Sequence, residues 1–126
     1  GMFVAKDKNS TVSTTPKANV KLAGDTISND VQDAVSSTQR FISRTVDAGI
    51  TTTLDIYTLA SNYIYVNGEN VTGATQANPY SISVNLGVGE TAMYQVITQT
   101  GTRQAYVEVI KLTVQLQLIA WQTVTD

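Results

Sequence analysis

Residues 105–120 read AYVEVIKLTVQLQLIA, and they carry the most informative pattern in the chain. Apolar and polar side chains alternate, as expected for a β-strand with one buried face. The apolar positions are odd-numbered up to residue 109 and even-numbered from residue 110. Because a one-residue slip turns the apolar face of a strand to solvent, this change of phase predicts a β-bulge or a sharp bend at that point. The same pattern places Tyr106 and Glu108 on the polar face.

The second half of this segment forms an apolar stripe, which we call the C-terminal stripe: Ile110, Leu112, Val114, Leu116 and Leu118. Between the ends of the stripe the chain has one charged residue, Lys111, and no proline. A strand of this composition aggregates if its edge is free. The stripe must therefore be covered by the chain's own core or by a symmetric partner, and we predict that it mediates homo-oligomer formation through a β edge.

Residues 50–102 also predict β-strands. The dipeptide Asn67-Gly68 separates two strand-like segments, and it favours the positive φ angles of a two-residue type I′ hairpin. Residues 80–86 alternate between apolar and polar side chains, and the glycines of residues 87–89 predict a turn. Together these features predict a mainly β fold, a compact antiparallel sandwich or small barrel of about six strands.

Residues 28–48 are the exception, because their apolar positions recur at steps of three and four. This period predicts one N-terminal amphipathic α-helix, laid against the sheet before the first strand. Asp30 and Asp33 would lie in its first turns, where the helix dipole favours negative charge. Arg40 and Arg44 would lie near its end, where the dipole favours positive charge.

The 126 residues fit a single folded domain. Residues 1–24 hold four of the eight basic residues and one acidic residue, so we expect a flexible basic N-terminal arm there. Residues 25–126 are expected to form one helix-plus-β domain. This domain has four basic and nine acidic residues. Because nucleic-acid binding needs clustered Lys or Arg, we expect none by the core.

Cys and His are both absent from the sequence. Disulfides, cysteine-bearing zinc sites, thiol nucleophiles and imidazole bases are therefore excluded. Carboxylates remain as candidates for catalysis, and those outside the predicted helix are Asp55, Glu69, Glu90 and Glu108. We interpret them as solvated surface groups. The sequence thus predicts no catalytic, cofactor-binding or metal-binding residues and no enzymatic activity.

Three tyrosines are candidates for stacking against a ligand: Tyr63, Tyr65 and Tyr106. Tyr63 and Tyr65 are two residues apart and therefore share one face of a strand. Aromatic rings in such positions stack on sugars or fill a pocket of a partner protein. Half-buried packing is the commoner role of strand tyrosines, so both interpretations stay open.

The lack of catalytic groups, the uncharged polar surface, the loose arm and the long apolar strand together predict a non-enzymatic, self-assembling structural protein. A phage virion subunit (tail, neck or capsid-accessory), with other virion proteins as partners, is one such protein. The alternative is a monomeric β module that binds a carbohydrate or a peptide. No apolar run is long enough for a signal peptide or a membrane span. We therefore expect cytoplasmic synthesis, no membrane association and, for a phage protein, a place in the virion.

Overall fold

The described part of the chain consists of β-strands and the turns and loops between them, with no helix. The structure is a computed structural model, and it describes residues 17–28, 31–36, 38–58, 63–102 and 104–116. For residues 31–36 it describes the backbone. Most of the predicted basic arm over residues 1–24, and Leu118 of the C-terminal stripe, lie outside the described residues.

Ten strands lie within the described residues and form two sheets. In chain order they are β1 (Asn19–Leu22), β2 (Asp25–Thr26), β3 (Val31–Ser36), β4 (Gln39–Val46), β5 (Ile50–Tyr57), β6 (Tyr63–Val66), β7 (Glu69–Asn70), β8 (Tyr80–Leu86), β9 (Thr91–Gln99) and β10 (Tyr106–Val114). The larger sheet has the order β3-β4-β10-β9-β6-β7, and the smaller sheet has the order β2-β1-β5-β8. The fold is therefore mainly β and sandwich-like, which confirms the predicted class, but its ten described strands exceed the predicted number of about six.

The hydrophobic core takes side chains from both sheets. Its most deeply buried members are Val20, Leu54, Ile56 and Val84 from the smaller sheet, Ile27 directly after β2, and Ile42, Ile64, Val66, Val96, Ile110 and Leu112 from the larger sheet. Full burial of one such side chain stabilises the fold by about 1.5–3 kcal/mol. The strand β10 lies at the centre of the larger sheet, between β4 and β9, and so anchors this core.

The predicted helix over residues 28–48 is wrong, because the structure forms the antiparallel hairpin of β3 and β4 there. The register of this hairpin shifts between Ala34 and Ser36. In β4 the burial alternates, with Arg40 and Ile42 buried and their neighbours less so. Hydroxyl and β-branched side chains give this segment a weak helix propensity. Its pairs of adjacent apolar residues fit a period of two as well as a period of 3.6.

One strand pair of the larger sheet, β4 with β10, is parallel, whereas an antiparallel fold is the expectation from sequence. The two strands stay in register from Gln39 opposite Val107 to Val46 opposite Val114. In sequence, β5 to β9 lie between these two strands; β5 and β8 belong to the smaller sheet, and β6, β7 and β9 belong to the larger sheet. Parallel pairs need such long connections, so local turn signals do not reveal them.

The predicted bulge in the middle of β10 is absent. The pairing of β10 with β9 runs from Tyr106 to Thr113 without a register shift. Even-numbered positions are buried throughout, so Tyr106 and Glu108 lie on the inner face rather than on the polar outer face. Val107 and Val109, whose apolar character favours an odd-numbered buried face, lie half-buried on the outside of the sheet. The phase of apolar residues changes in β10, but the phase of burial does not.

Two hairpins turn on residues with the same backbone conformation. The predicted Asn67-Gly68 turn joins β6 and β7 with φ angles of 49° and 82°, both positive as a type I′ turn requires. The turn Ala23-Gly24 joins β1 and β2 with φ angles of 53° and 81°. An alanine at positive φ is strained, because its Cβ crowds the following carbonyl oxygen.

Ala23→Asn is therefore expected to raise the free energy of unfolding by about 0.5–1 kcal/mol, because Asn tolerates the left-handed conformation better than Ala. Ala23 is exposed, so the change removes no core contact. Urea unfolding measures the effect. The converse variant, Asn67→Ala, should lose stability, since Asn67 Oδ1 also accepts a hydrogen bond from the Gln95 N–H at 2.9 Å. A less stable Ala23→Asn protein would contradict the assignment of strain to Ala23.

Candidate functional site

The charged residues Arg40 of β4 and Glu108 of β10 are both buried and lie directly opposite each other in the parallel pair. The Nε and Nη2 atoms of Arg40 donate hydrogen bonds to Oε1 of Glu108 at 2.9 and 2.6 Å. The exposed fractions are 6% for Arg40 and 0% for Glu108. The pair is therefore shielded from water, and its charge-assisted hydrogen bonds are of the strong kind.

The same two side chains also bind the backbone of the N-terminal segment. The N–H of Ala18 donates to Oε2 of Glu108 at 2.7 Å. Arg40 donates from Nη1 to the carbonyl oxygen of Ser28 at 3.1 Å and from Nη2 to that of Ala18 at 3.5 Å. Ala18 and Ser28 flank β1 and β2 in the chain. This group, which we call the Arg40–Glu108 clamp, therefore fastens the smaller sheet to the larger one.

Burial raises the pKa of the Glu108 carboxyl above its ordinary value, although Arg40, the Ala18 amide and Lys17 act in the opposite direction. Burial likewise raises the pKa of the neighbouring Tyr106 hydroxyl. The Nζ atom of Lys17 lies 5.5 Å from the centre of the Tyr106 ring, a cation–π distance. Because both Glu108 oxygens accept bonds from within the chain, the clamp acts as a structural element that holds β1, and through β1 the rest of the smaller sheet.

Among the described strands, β8 is an edge strand that lacks the usual protection. Four of the described strands lie at sheet edges, namely β2, β3, β7 and β8. Two of them, β2 and β7, have two residues each, and β3 contains Asp33 and a register shift. Short length, charge and irregularity are features that keep sheet edges from pairing with other chains. By contrast, β8 has seven residues without charge, proline or register shift.

Three residues of β8 direct their backbone N–H and C=O groups away from the sheet: Ser81, Ser83 and Asn85. Their direction follows from Thr53, whose carbonyl oxygen accepts a hydrogen bond from the Ala23 N–H at 3.0 Å and so faces β1. Backbone groups of successive strand residues point to opposite sides. Leu54 therefore faces β8, and its partner Ile82 faces back towards β5. The residues on either side of Ile82 face outward, where no described strand pairs with them.

The two faces of β8 differ in chemistry. The outer face is polar, and there Ser81 Oγ donates a hydrogen bond to Asp55 Oδ1 at 2.6 Å. The inner face is apolar, with Val84 buried in the core. The inner-face side chains that remain half-buried at the edge are Tyr80, Ile82 and Leu86. A further strand added to this edge would cover their remaining apolar surface.

The structure buries three residues of the C-terminal stripe in the chain's own core: Ile110, Leu112 and Val114, each at most 1% exposed. Their strand β10 has neighbours on both sides and no free edge. These side chains are not available to a partner, so the predicted self-association surface is corrected for them. Leu116 follows β10 and is 66% exposed. Leu118 lies outside the described residues.

The three candidate stacking tyrosines do not lie together. Tyr63 and Tyr65 share the outer face of β6, where Tyr63 is 54% exposed and Tyr65 is half-buried. Tyr106 is 4% exposed on the inner face of β10, so its predicted polar-side position is wrong. A stacking surface on this molecule is therefore limited to Tyr63 and Tyr65.

The exposed candidate carboxylates bond to nearby polar groups. Oε1 of Glu69 accepts a hydrogen bond from the Tyr80 hydroxyl at 3.3 Å, and Oε1 of Glu90 accepts one from the Gly87 N–H at 2.7 Å. The described residues contain no group of three or more acidic side chains arranged to hold a metal ion. The interpretation of Glu108 as a surface carboxylate is wrong, because it is the buried centre of the clamp.

An open cavity of about 480 Å³ lies where the end of β4 meets the β1–β2 turn and the start of β5. Arg44 and Asp25 both line it and form an ion pair, with 3.2 Å between Nη1 and Oδ2. Asp25 is the one carboxylate among the described residues that line it. These residues therefore do not supply the pair of carboxyl groups that glycoside hydrolysis requires.

Sequence reasoning missed both the clamp and the open edge. From sequence alone, Arg40 falls at the end of a predicted helix and Glu108 on a solvated strand face. Their bond joins residues 68 positions apart, beyond the reach of any local pattern. A signal for the edge is present in residues 80–86, a strand-like stretch with no charge. Its place at the edge depends on sheet order, which the sequence does not show.

Comparison of the chain with protein-family models, with curated proteins and with solved structures finds no match. The part of the chain that the structure describes contains no helical segment with the length and apolar character of a membrane span. We therefore infer the function of the protein from the geometry of the Arg40–Glu108 clamp and of the β8 edge.

Proposed function

We propose that the chain is a non-enzymatic structural subunit that self-associates by extending its smaller sheet at the β8 edge. The supporting observation is the edge itself, seven uncharged residues whose outward backbone groups bind no described residue. An edge of this kind, to which no described strand is paired, is a template for another strand. A function carried by backbone pairing requires no catalytic group, in agreement with a sequence that lacks Cys and His.

The Arg40–Glu108 clamp supports this role, because it stabilises the sheet that carries the edge. It holds the backbone at Ala18, directly before β1. The strand β1 pairs with β5, and β5 pairs with β8 along seven residues. A preorganised edge loses less conformational entropy on pairing than a flexible segment does. The subunits of a virion, one setting in which such a protein would work, require a contact that repeats with fixed geometry.

A monomeric ligand-binding module is the second candidate, and the position of Tyr63 and Tyr65 favours it. Both rings lie on the outer face of the larger sheet, where Tyr65 is opposite Ile97 of β9. Adjacent aromatic and aliphatic side chains suit a sugar ring or an apolar peptide side chain. This function does not involve β8 and leaves the chain monomeric, so the mass in solution separates the two candidates.

Light scattering after gel filtration is expected to give the wild-type protein a mass of at least twice the 13.5 kDa of one chain. Ser83→Lys is expected to return the mass to that of one chain. Ser83 is exposed and is the central outward-facing residue of β8. A lysine there hinders the approach of a second strand and sets like charges near each other across the new pair, which is destabilising.

Thr53→Lys is the matched control. It adds the same charge to the same outer face, directly opposite Ser83, but on β5, which is not an edge strand. Its mass should equal that of the wild-type protein. Far-UV circular dichroism of all three proteins checks that each is folded. A wild-type protein with the mass of one chain at every concentration would contradict self-association and favour the ligand-binding module.

A further inference from the structure

We infer that the partner at the β8 edge is a second copy of the chain, paired antiparallel about a two-fold axis that passes through Ser83. This inference rests on the proposed function and adds the identity and register of the partner. Two-fold dimers are the commonest homo-oligomers, and their interfaces are self-complementary. A two-fold pairing at this edge therefore requires β8 to be complementary to itself.

Ser83 is the axis position that pairs the most backbone groups. With the axis there, all seven residues of β8 lie opposite the second copy, and Ser81 meets Asn85. Three outward-facing pairs, each exchanging two hydrogen bonds, give six bonds. An axis through Ile82 or Val84 overlaps five residues of β8 and forms two such pairs, which give four bonds. For the axis through Ile82 the next outward-facing residue is Pro79, which has no N–H, and for the axis through Val84 it is Gly87, whose N–H already donates to Glu90 Oε1 at 2.7 Å.

The side chains of β8 agree with this register. On the inner face Tyr80 would adjoin Leu86 of the second copy, and Ile82 would adjoin Val84. The half-buried apolar groups at the edge would then cover one another, as cross-strand pairs do in stable sheets. Serine and asparagine would meet on the polar outer face. Because β8 has no charge, self-pairing sets no like charges opposite each other, and a charged partner strand would find no complementary charge on β8.

Disulfide cross-linking reports this register directly, because the chain has no cysteine of its own. In Ser83→Cys the two Cα atoms would face each other across the axis at about 5.5 Å, within the range of a disulfide. Mild oxidation is expected to convert most of this variant into a covalent dimer on a non-reducing gel. An equimolar mixture of Ser81→Cys and Asn85→Cys proteins is expected to cross-link between the two variants.

Ser81→Cys alone is the control for register, since its two cysteines would be four residues out of step and about 14 Å apart. Thr53→Cys, exposed on the same face, gives the yield from random collision. A wild-type dimer in light scattering without a Ser83→Cys cross-link above that yield would overturn the register and leave self-association standing. So would efficient cross-linking of Ser81→Cys alone. A monomeric wild-type protein together with a Ser83→Cys yield no higher than that of Thr53→Cys would overturn both proposals.

Discussion

Glu108→Gln is expected to lower the free energy of unfolding by about 3–5 kcal/mol, because it leaves the buried Arg40 cation without its counter-charge. The two side chains are 6% and 0% exposed, so water does not replace the lost carboxylate. Glu108 uses both oxygens, Oε1 for Arg40 and Oε2 for the Ala18 N–H. Glutamine has a single acceptor oxygen, so one of these two donors also loses its partner.

Urea unfolding followed by circular dichroism measures this loss. The matched control is Asp25→Asn, which breaks the other arginine–carboxylate pair described in the chain. In that pair the side chains of Arg44 and Asp25 are 26% and 70% exposed, so the expected loss is less than about 1 kcal/mol. Equal losses in the two variants would contradict the view that burial sets the strength of the clamp.

The double variant Arg40→Met/Glu108→Leu separates the two roles of the clamp, which are the pairing of two buried charges and the bonding of the Ala18 and Ser28 backbone groups. Its loss of stability is expected to be smaller than the sum of the losses in the single variants, because no uncompensated charge remains buried. It should still be less stable than the wild-type protein. The backbone groups of Ala18 and Ser28 lose their partners in this variant, at about 1–3 kcal/mol for each buried group left unsatisfied.

Local patterns predicted those parts of the fold that local chemistry determines. The alternation in residues 80–86 and the turn at Asn67-Gly68 depend on neighbours in sequence, and both are present in the structure. The helix prediction for residues 28–48 failed because a strand with adjacent apolar side chains can show the same spacing of apolar residues as a helix. The choice between the two is made by pairing of β4 with β10, a tertiary contact that outweighs local propensity.

The candidate site was harder to predict, because both of its parts depend on sheet order. Glu108 is an acidic residue in an apolar strand, and its sequence does not distinguish a solvated carboxylate from a buried one with a distant arginine. The strand β8 resembles β9 in its alternation, yet β9 lies inside the larger sheet and β8 lies at an edge. Val107 and Val109 led to the wrong prediction of a bulge in β10, because an outer sheet face tolerates half-buried apolar side chains.

Ile110→Ala is expected to lower the free energy of unfolding by about 2–5 kcal/mol, the range found when a buried isoleucine is truncated. Ile110 is 0% exposed, and its strand is hydrogen-bonded to β4 on one side and β9 on the other. The backbone around it is therefore fixed and cannot close the cavity that the missing atoms leave. Urea unfolding measures the loss.

Leu116→Ala is the matched control, because Leu116 belongs to the same stripe in sequence but is 66% exposed. Its effect on stability is expected to stay within about 0.5 kcal/mol. Similar small effects in both variants would contradict a core role for Ile110. If the stripe formed the interface, Ile110→Ala would lower the mass of the folded protein in light scattering. A folded Ile110→Ala protein with the wild-type mass would instead assign the stripe's buried half to the core and leave self-association to β8, whose backbone faces outward.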